Sequence, residues 1–73
     1  MPTQWIKFSN SDSSIEIFDI SQATHFKHIA DGDDSFVEVY TGEVVHTVMS
    51  SIDPDAYRAV LDYIAENTGY TLY

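Results

Sequence analysis

Hydrophobic and polar residues alternate through the first two thirds of the chain, and the pattern changes to a helical spacing near the end. Ile6 and Phe8 fall on one face of an extended segment, and Ile15 and Ile17 fall on one face of the next, with Glu16 between them. The connecting Ser9-Asn10-Ser11-Asp12-Ser13-Ser14 is turn chemistry, because Ser, Asn and Asp side chains hydrogen-bond their own backbone. This pattern predicts a hairpin with a six-residue loop. Phe36-Val37-Glu38-Val39-Tyr40 and Val44-Val45-His46-Thr47-Val48-Met49 are β-branched and aromatic runs. They are joined by Thr41-Gly42-Glu43, whose glycine can supply a positive φ, and a second hairpin is predicted there.

Residues 23–30 admit two readings. As a strand, Ala23 to Ala30 would pair with Phe36 to Tyr40 across Asp31-Gly32-Asp33-Asp34-Ser35, whose Asp-Gly step is a hairpin signal. As a helix, Ala23, Phe26 and Ala30 would line one face and Gly32 would end it. The strand is favoured, because Thr24, His25 and His28 are weak helix formers and a helix of under ~10 residues is marginal.

The last element is helical by several signals at once. Asp53 is a natural N-cap, Pro54 suits the first helical position, and Asp55 complements the positive end of the helix. Ile52 and Tyr57 occupy the two positions of a hydrophobic staple. Tyr57, Val60, Leu61 and Ile64 recur at i, i+3, i+4 and i+7, and Gly69 follows as a stop, so the helix is expected from about 54 to 67. Asp55, Arg58, Asp62 and Glu66 form the opposite, solvated stripe. Tyr70-Thr71-Leu72-Tyr73 alternates, and either adds an edge strand or presents two tyrosines to a partner.

These elements predict an α+β fold. Residues 1–73 form one small domain of four or five mostly antiparallel strands, with the C-terminal amphipathic helix packed on one sheet face. A chain of 73 residues buries only about 60% of the surface its unfolded form exposes. Such domains supplement their cores with disulfides, metals or self-association. Without cysteine the first is excluded, as are thiolate metal sites and a cysteine nucleophile, so self-association is the expected supplement.

Charge narrows the partners. Twelve acids oppose three Lys and Arg, a formal net charge of -9. Residues 1–30 hold three acids against Lys7 and Lys27, whereas residues 31–73 hold nine against Arg58 alone. Such a chain repels the phosphate backbone and anionic lipid, so direct nucleic-acid or membrane binding is not expected. The N-terminus lacks the basic region and apolar core of a secretory signal, and no apolar run approaches the roughly 18 residues of a membrane span, so the expected compartment is the cytoplasm.

Candidate chemistry is sparse. Asp31-Gly32-Asp33-Asp34 invites a calcium reading but lacks EF-hand spacing, and reads as an acidic turn. His25 and His28, with His46 elsewhere, suggest a three-imidazole zinc site only if residues 23–30 are helical, since residues three apart on a strand face opposite ways. There is no nucleophile elbow and no glycine-rich phosphate loop. The sequence therefore points to no enzyme, cofactor, metal or small-molecule substrate.

Two surfaces remain as candidates. One is an acidic patch of Asp31, Asp33, Asp34, Glu38 and Glu43. The other is aromatic, drawn from Trp5, Tyr40, Tyr70 and Tyr73, with Tyr63 flanking the helical stripe. Trp5 lies on the strand face opposite Ile6 and Phe8, and is expected to be mostly buried, in a core or in an interface. The favoured role is a non-enzymatic protein-interaction module that self-associates as a homo-oligomer through its uncovered sheet face or edge. The alternative is an acidic inhibitor that mimics nucleic acid in the basic groove of a nucleic-acid-binding protein, steered there by the charge of residues 31–73.

Overall fold

Turn residues and caps set the element boundaries. The computed structural model describes residues 4–72. Five strands are present among them: β1 (Trp5–Ser9), β2 (Ile15–Asp19), β3 (His25–Ile29), β4 (Phe36–Thr41) and β5 (Val44–Met49). The helix α1 (Pro54–Thr68) follows, and short 3-10 turns occupy Ile20–Gln22 and Gly32–Asp34. Within the segment expected as a strand, residues 25–29 form one, and it pairs with residues 36–40 as expected.

All pairings are antiparallel, but the strands do not form one sheet. β1 and β2 make a two-stranded ribbon, while β3, β4 and β5 make a separate three-stranded sheet in that order. The first hairpin closes one residue tighter than expected, because Ser9 pairs with Ile15 and leaves a loop of residues 10–14. Within it the Asn10 amide donates to the Ser14 carbonyl at 2.8 Å, and Ser13 takes a φ of 71°. Gly42 takes the positive φ expected of it, 62°, in the β4–β5 turn.

β2 has the opposite facing to the one its isoleucines suggest. In antiparallel pairs, residues directly opposite share a face. Ile6 stands opposite Phe18 and Phe8 opposite Glu16, so the inward turn of Ile6 and Phe8 carries Phe18 into the core, leaves Glu16 exposed on that same side and turns Ile15 and Ile17 out. Phe18 and Ile20 supply the buried side chains of this segment.

The core is shared by both sheets and the helix. Ile6, Phe8, Phe18 and Ile20 meet Val37, Val39 and Val48 from the larger sheet and Val60, Leu61 and Ile64 from α1. Phe8 and Phe18 meet edge to face, with centroids 5.8 Å apart. The helix packs against β1, β4 and β5. Ala56 takes the buried place at its first turn, and Tyr57 is half-buried beside the core. There the Tyr57 hydroxyl lies 2.6 Å from Nε2 of His28, linking helix to β3.

Asp53 ties β1 to the helix. One carboxylate oxygen accepts from the Ala56 amide at 3.1 Å as the N-cap, and the other accepts from the Ser9 amide at the end of β1 at 3.0 Å. At the far end Gly69 adopts the left-handed conformation (φ 82°) and its amide donates to the Ala65 carbonyl. Residues 70–72 form no strand, and Tyr73 lies outside the described residues. Replacing Asp53 by Ala removes both acceptors and is expected to cost about 1–2 kcal/mol, measurable as a fall in the urea midpoint with the m-value unchanged.

Candidate interaction surface

Each sheet buries one face and leaves the other uncovered. On the ribbon the uncovered face carries Trp5, Lys7, Ile15 and Ile17. Trp5 is 63% exposed, Ile15 59% and Ile17 62%. Trp5 is thus not buried within the monomer, because β1 turns its other face to the core. Lys7 stands directly opposite Ile17 and Trp5 opposite Asp19, so the apolar side chains surround one cation and border one acid.

The larger sheet shows three cross-strand rows outward. Ile29, Phe36 and Met49 form one row, Lys27, Glu38 and Thr47 the second, and His25, Tyr40 and Val45 the third. His25 and Tyr40 meet edge to face at 5.0 Å. The Tyr40 hydroxyl donates to Glu38 Oε1 at 3.2 Å. Partial burial pushes that hydroxyl's pKa up, and the hydrogen bond and charge of Glu38 add to the shift.

The five acids do not form one patch. Asp31, Asp33 and Asp34 cluster at the β3–β4 turn, with Ser35 Oγ accepting from the Asp31 amide at 3.1 Å. Glu38 lies mid-strand on the outer face of β4. Glu43 sits in the β4–β5 turn at the other end of that strand, roughly 17 Å away along its axis. Of the aromatic set, Tyr40 belongs to the larger sheet's outer face, and Tyr70 is 75% exposed beyond the helix. Tyr63 packs against the core near Phe26.

The histidines have separate surroundings. His25 faces out and His28 faces the helix. His46 is 8% exposed and stacks on Phe18 at 4.2 Å between the two sheets. Its Nε2 lies 2.9 Å from Thr41 Oγ1, whereas Nδ1 makes only a long 3.5 Å contact with Glu16 Oε1 and has no hydrogen bond. Among the described residues no three His, Asp or Glu side chains converge as metal ligands, and no helix is long and apolar enough to cross a membrane. Comparison of the chain with protein-family models, curated proteins and solved structures finds no match.

Ile15 and Ile17 are the surface residues that periodicity alone misses. The run from 15 to 20 offers two faces of equal composition: Ile15, Ile17 and Asp19 on one, Glu16, Phe18 and Ile20 on the other. That tie is the available signal, since one face had to be left outside.

Two measurements follow from this geometry. Because Trp5 is the only tryptophan, dilute protein should emit like a water-exposed indole and be quenched readily by acrylamide; a blue-shifted, protected emission would contradict the exposed placement. Asp19 accepts from the Ser21 hydroxyl and amide, and Asp12 accepts from the same groups of Ser14. These bonds hold both carboxyls below the usual aspartate range, with the serine hydroxyl the largest cause in each case. A lowered folded-state pKa stabilises the fold at neutral pH. That contribution declines below the ordinary aspartate value of about 3.9 and is lost as pH falls through the folded-state value. The Ser21 amide resonance should therefore titrate below that value, and Asp19→Asn should leave it flat.

Proposed function

We propose that this chain is a small, non-enzymatic protein-interaction module of the cytoplasm that works by associating with further copies of itself. The observation that carries this reading is the uncovered ribbon face, where one tryptophan and two isoleucines are all about 60% exposed on neighbouring strands. Contiguous exposed apolar side chains on a small protein mark interaction sites. Their location favours a like partner. The ribbon belongs to the nearly neutral residues 1–30, so two copies can meet there without opposing the nine acids of residues 31–73. A chain without cysteine also needs no oxidising compartment.

Salt dependence separates this reading from mimicry of nucleic acid. Association of like chains of charge -9 through an apolar surface is opposed by long-range repulsion. It should therefore strengthen as the Debye length falls from about 10 Å at 0.1 M toward 3 Å at 1 M. Binding to a basic groove should weaken over the same range. The separation of the acidic turn from Glu43 also makes the acids less suited to one continuous groove.

Sedimentation equilibrium from about 10 μM to about 1 mM covers interfaces worth roughly 4–7 kcal/mol. The expected result is a mass rising toward twice that of the 8.3 kDa chain, more steeply at high salt. A constant monomer mass at every concentration and salt would overturn the reading.

A further inference from the structure

Resting on the self-association reading, we infer that the second copy docks edge to edge on β2. The two β2 strands run antiparallel, in the register that places Ile17 opposite Ile17 of the other copy.

The backbone hydrogen bonds show which groups β2 presents. The Asn10 amide donates to the Ser14 carbonyl, and the Ile20 amide donates to the Gln4 carbonyl at 2.9 Å, so these bonds bracket the ladder at both ends. Antiparallel ladders alternate between residues that bond each other and residues whose N–H and C=O point away. Ile6 with Phe18 and Phe8 with Glu16 are then the bonded pairs, and the amides and carbonyls of Ile15, Ile17 and Asp19 turn away from β1. β1 provides an independent check. By the same alternation Ser9 turns outward, and its amide leaves the ladder to reach Asp53. The β1 edge thus faces the start of the helix, and the β2 edge lies on the far side of the ribbon.

Among the described residues no lysine, proline, bulge or covering segment guards that edge of β2, and its charges are Glu16 and Asp19. Natural sheets guard open edges with lysine, proline, bulges or a covering segment. Here the edge-facing positions are Ile15, Ile17 and Asp19, two of the three apolar, and three consecutive residues, Ile15, Glu16 and Ile17, are exposed. A two-stranded ribbon is also marginal by itself, whereas pairing two copies makes a four-stranded sheet.

Charge and geometry select a copy of the chain and one register. Centred on Glu16, antiparallel pairing would set Glu16 against its counterpart in a close pair, which like charges oppose. Centred on Ile15, it would require Ser13 to be extended, yet Ser13 has a φ of 71°. Centred on Ile17, all five residues of β2 pair: Ile17 with Ile17, Glu16 with Phe18 and Ile15 with Asp19. No like charges then stand opposite. The outer face of the resulting sheet brings the four isoleucines together on a diagonal bordered by Asp19, Lys7 and Trp5 of each copy.

The absence of cysteine allows a direct test in the full chain. Ile17→Cys places two thiols across a bonded pair at about 5.5 Å between Cα atoms, within the disulfide range. Ile15→Cys, nearly as exposed, leaves its thiols about 13 Å apart, four residues along the strand. In a glutathione redox buffer the Ile17 variant should form disulfide dimer about tenfold or more beyond the Ile15 variant. Equal cross-linking, or more from Ile15→Cys, would overturn the register. In sedimentation, Ile17→Lys should weaken association about tenfold or more, while Val45→Lys on the open edge of β5 should leave it unchanged. Retained association in Ile17→Lys with loss in Val45→Lys would overturn the β2 edge and leave self-association standing. A wild-type monomer at every concentration would overturn both.

Discussion

The fold depends on one shared hydrophobic core, because no backbone ladder joins the ribbon to the larger sheet among the described residues. Strands within each sheet are held by main-chain hydrogen bonds, but the two sheets and the helix meet only through side chains and caps. Phe8, Phe18 and Ile20 from the ribbon segment, Val37, Val39 and Val48 from the sheet, and Val60, Leu61 and Ile64 from the helix supply most of that contact. A side chain of this class contributes about 1.5–3 kcal/mol when fully buried. Directional contacts then orient what burial holds together. Asp53 links the β1 end to the helix start, His28 meets Tyr57, and His46 stacks on Phe18 across the sheets.

Using every inward face in one core leaves both outward faces without cover. On the larger sheet the outward rows mix apolar and charged residues, and Lys27 and Glu38 stand opposite each other in the middle row. The ribbon's outward face groups the more exposed Trp5, Ile15 and Ile17 with Lys7 and Asp19. Among the described residues no strand pairs with the other edge of β2. Exposed side chains and an edge without a partner strand thus coincide on β2 among the described residues. In the self-association proposed above, the charge imbalance would direct like copies to the nearly neutral residues 1–30.

Much of the architecture was legible in the chain because several local signals agreed. The helix had a cap, a proline at its first position, a spaced apolar face and a terminal glycine, and each is found in place. The strand at 25–29 followed from the weak helix propensity of its residues and from a glycine turn beyond it. The candidate surfaces were less legible. The acids near one another in sequence are split by an extended strand, which carries Glu43 to the opposite end of the sheet from Asp31, Asp33 and Asp34. Trp5 was correctly placed opposite Ile6 and Phe8, but alternation does not say whether anything covers the other face.

The sequence by itself determined the element order, the helix limits to within one residue and the α+β class, because periodicity, capping and turn chemistry act over a few residues. Tertiary structure alone decided how the strands were divided between two sheets and which face of β2 was buried. The six residues from 15 to 20 present two faces of equal composition, so local pattern is silent between them. The choice was made by long-range pairing with β1, which sets Phe18 beside Ile6, and by the space in the shared core for an aromatic ring that packs on both Phe8 and His46.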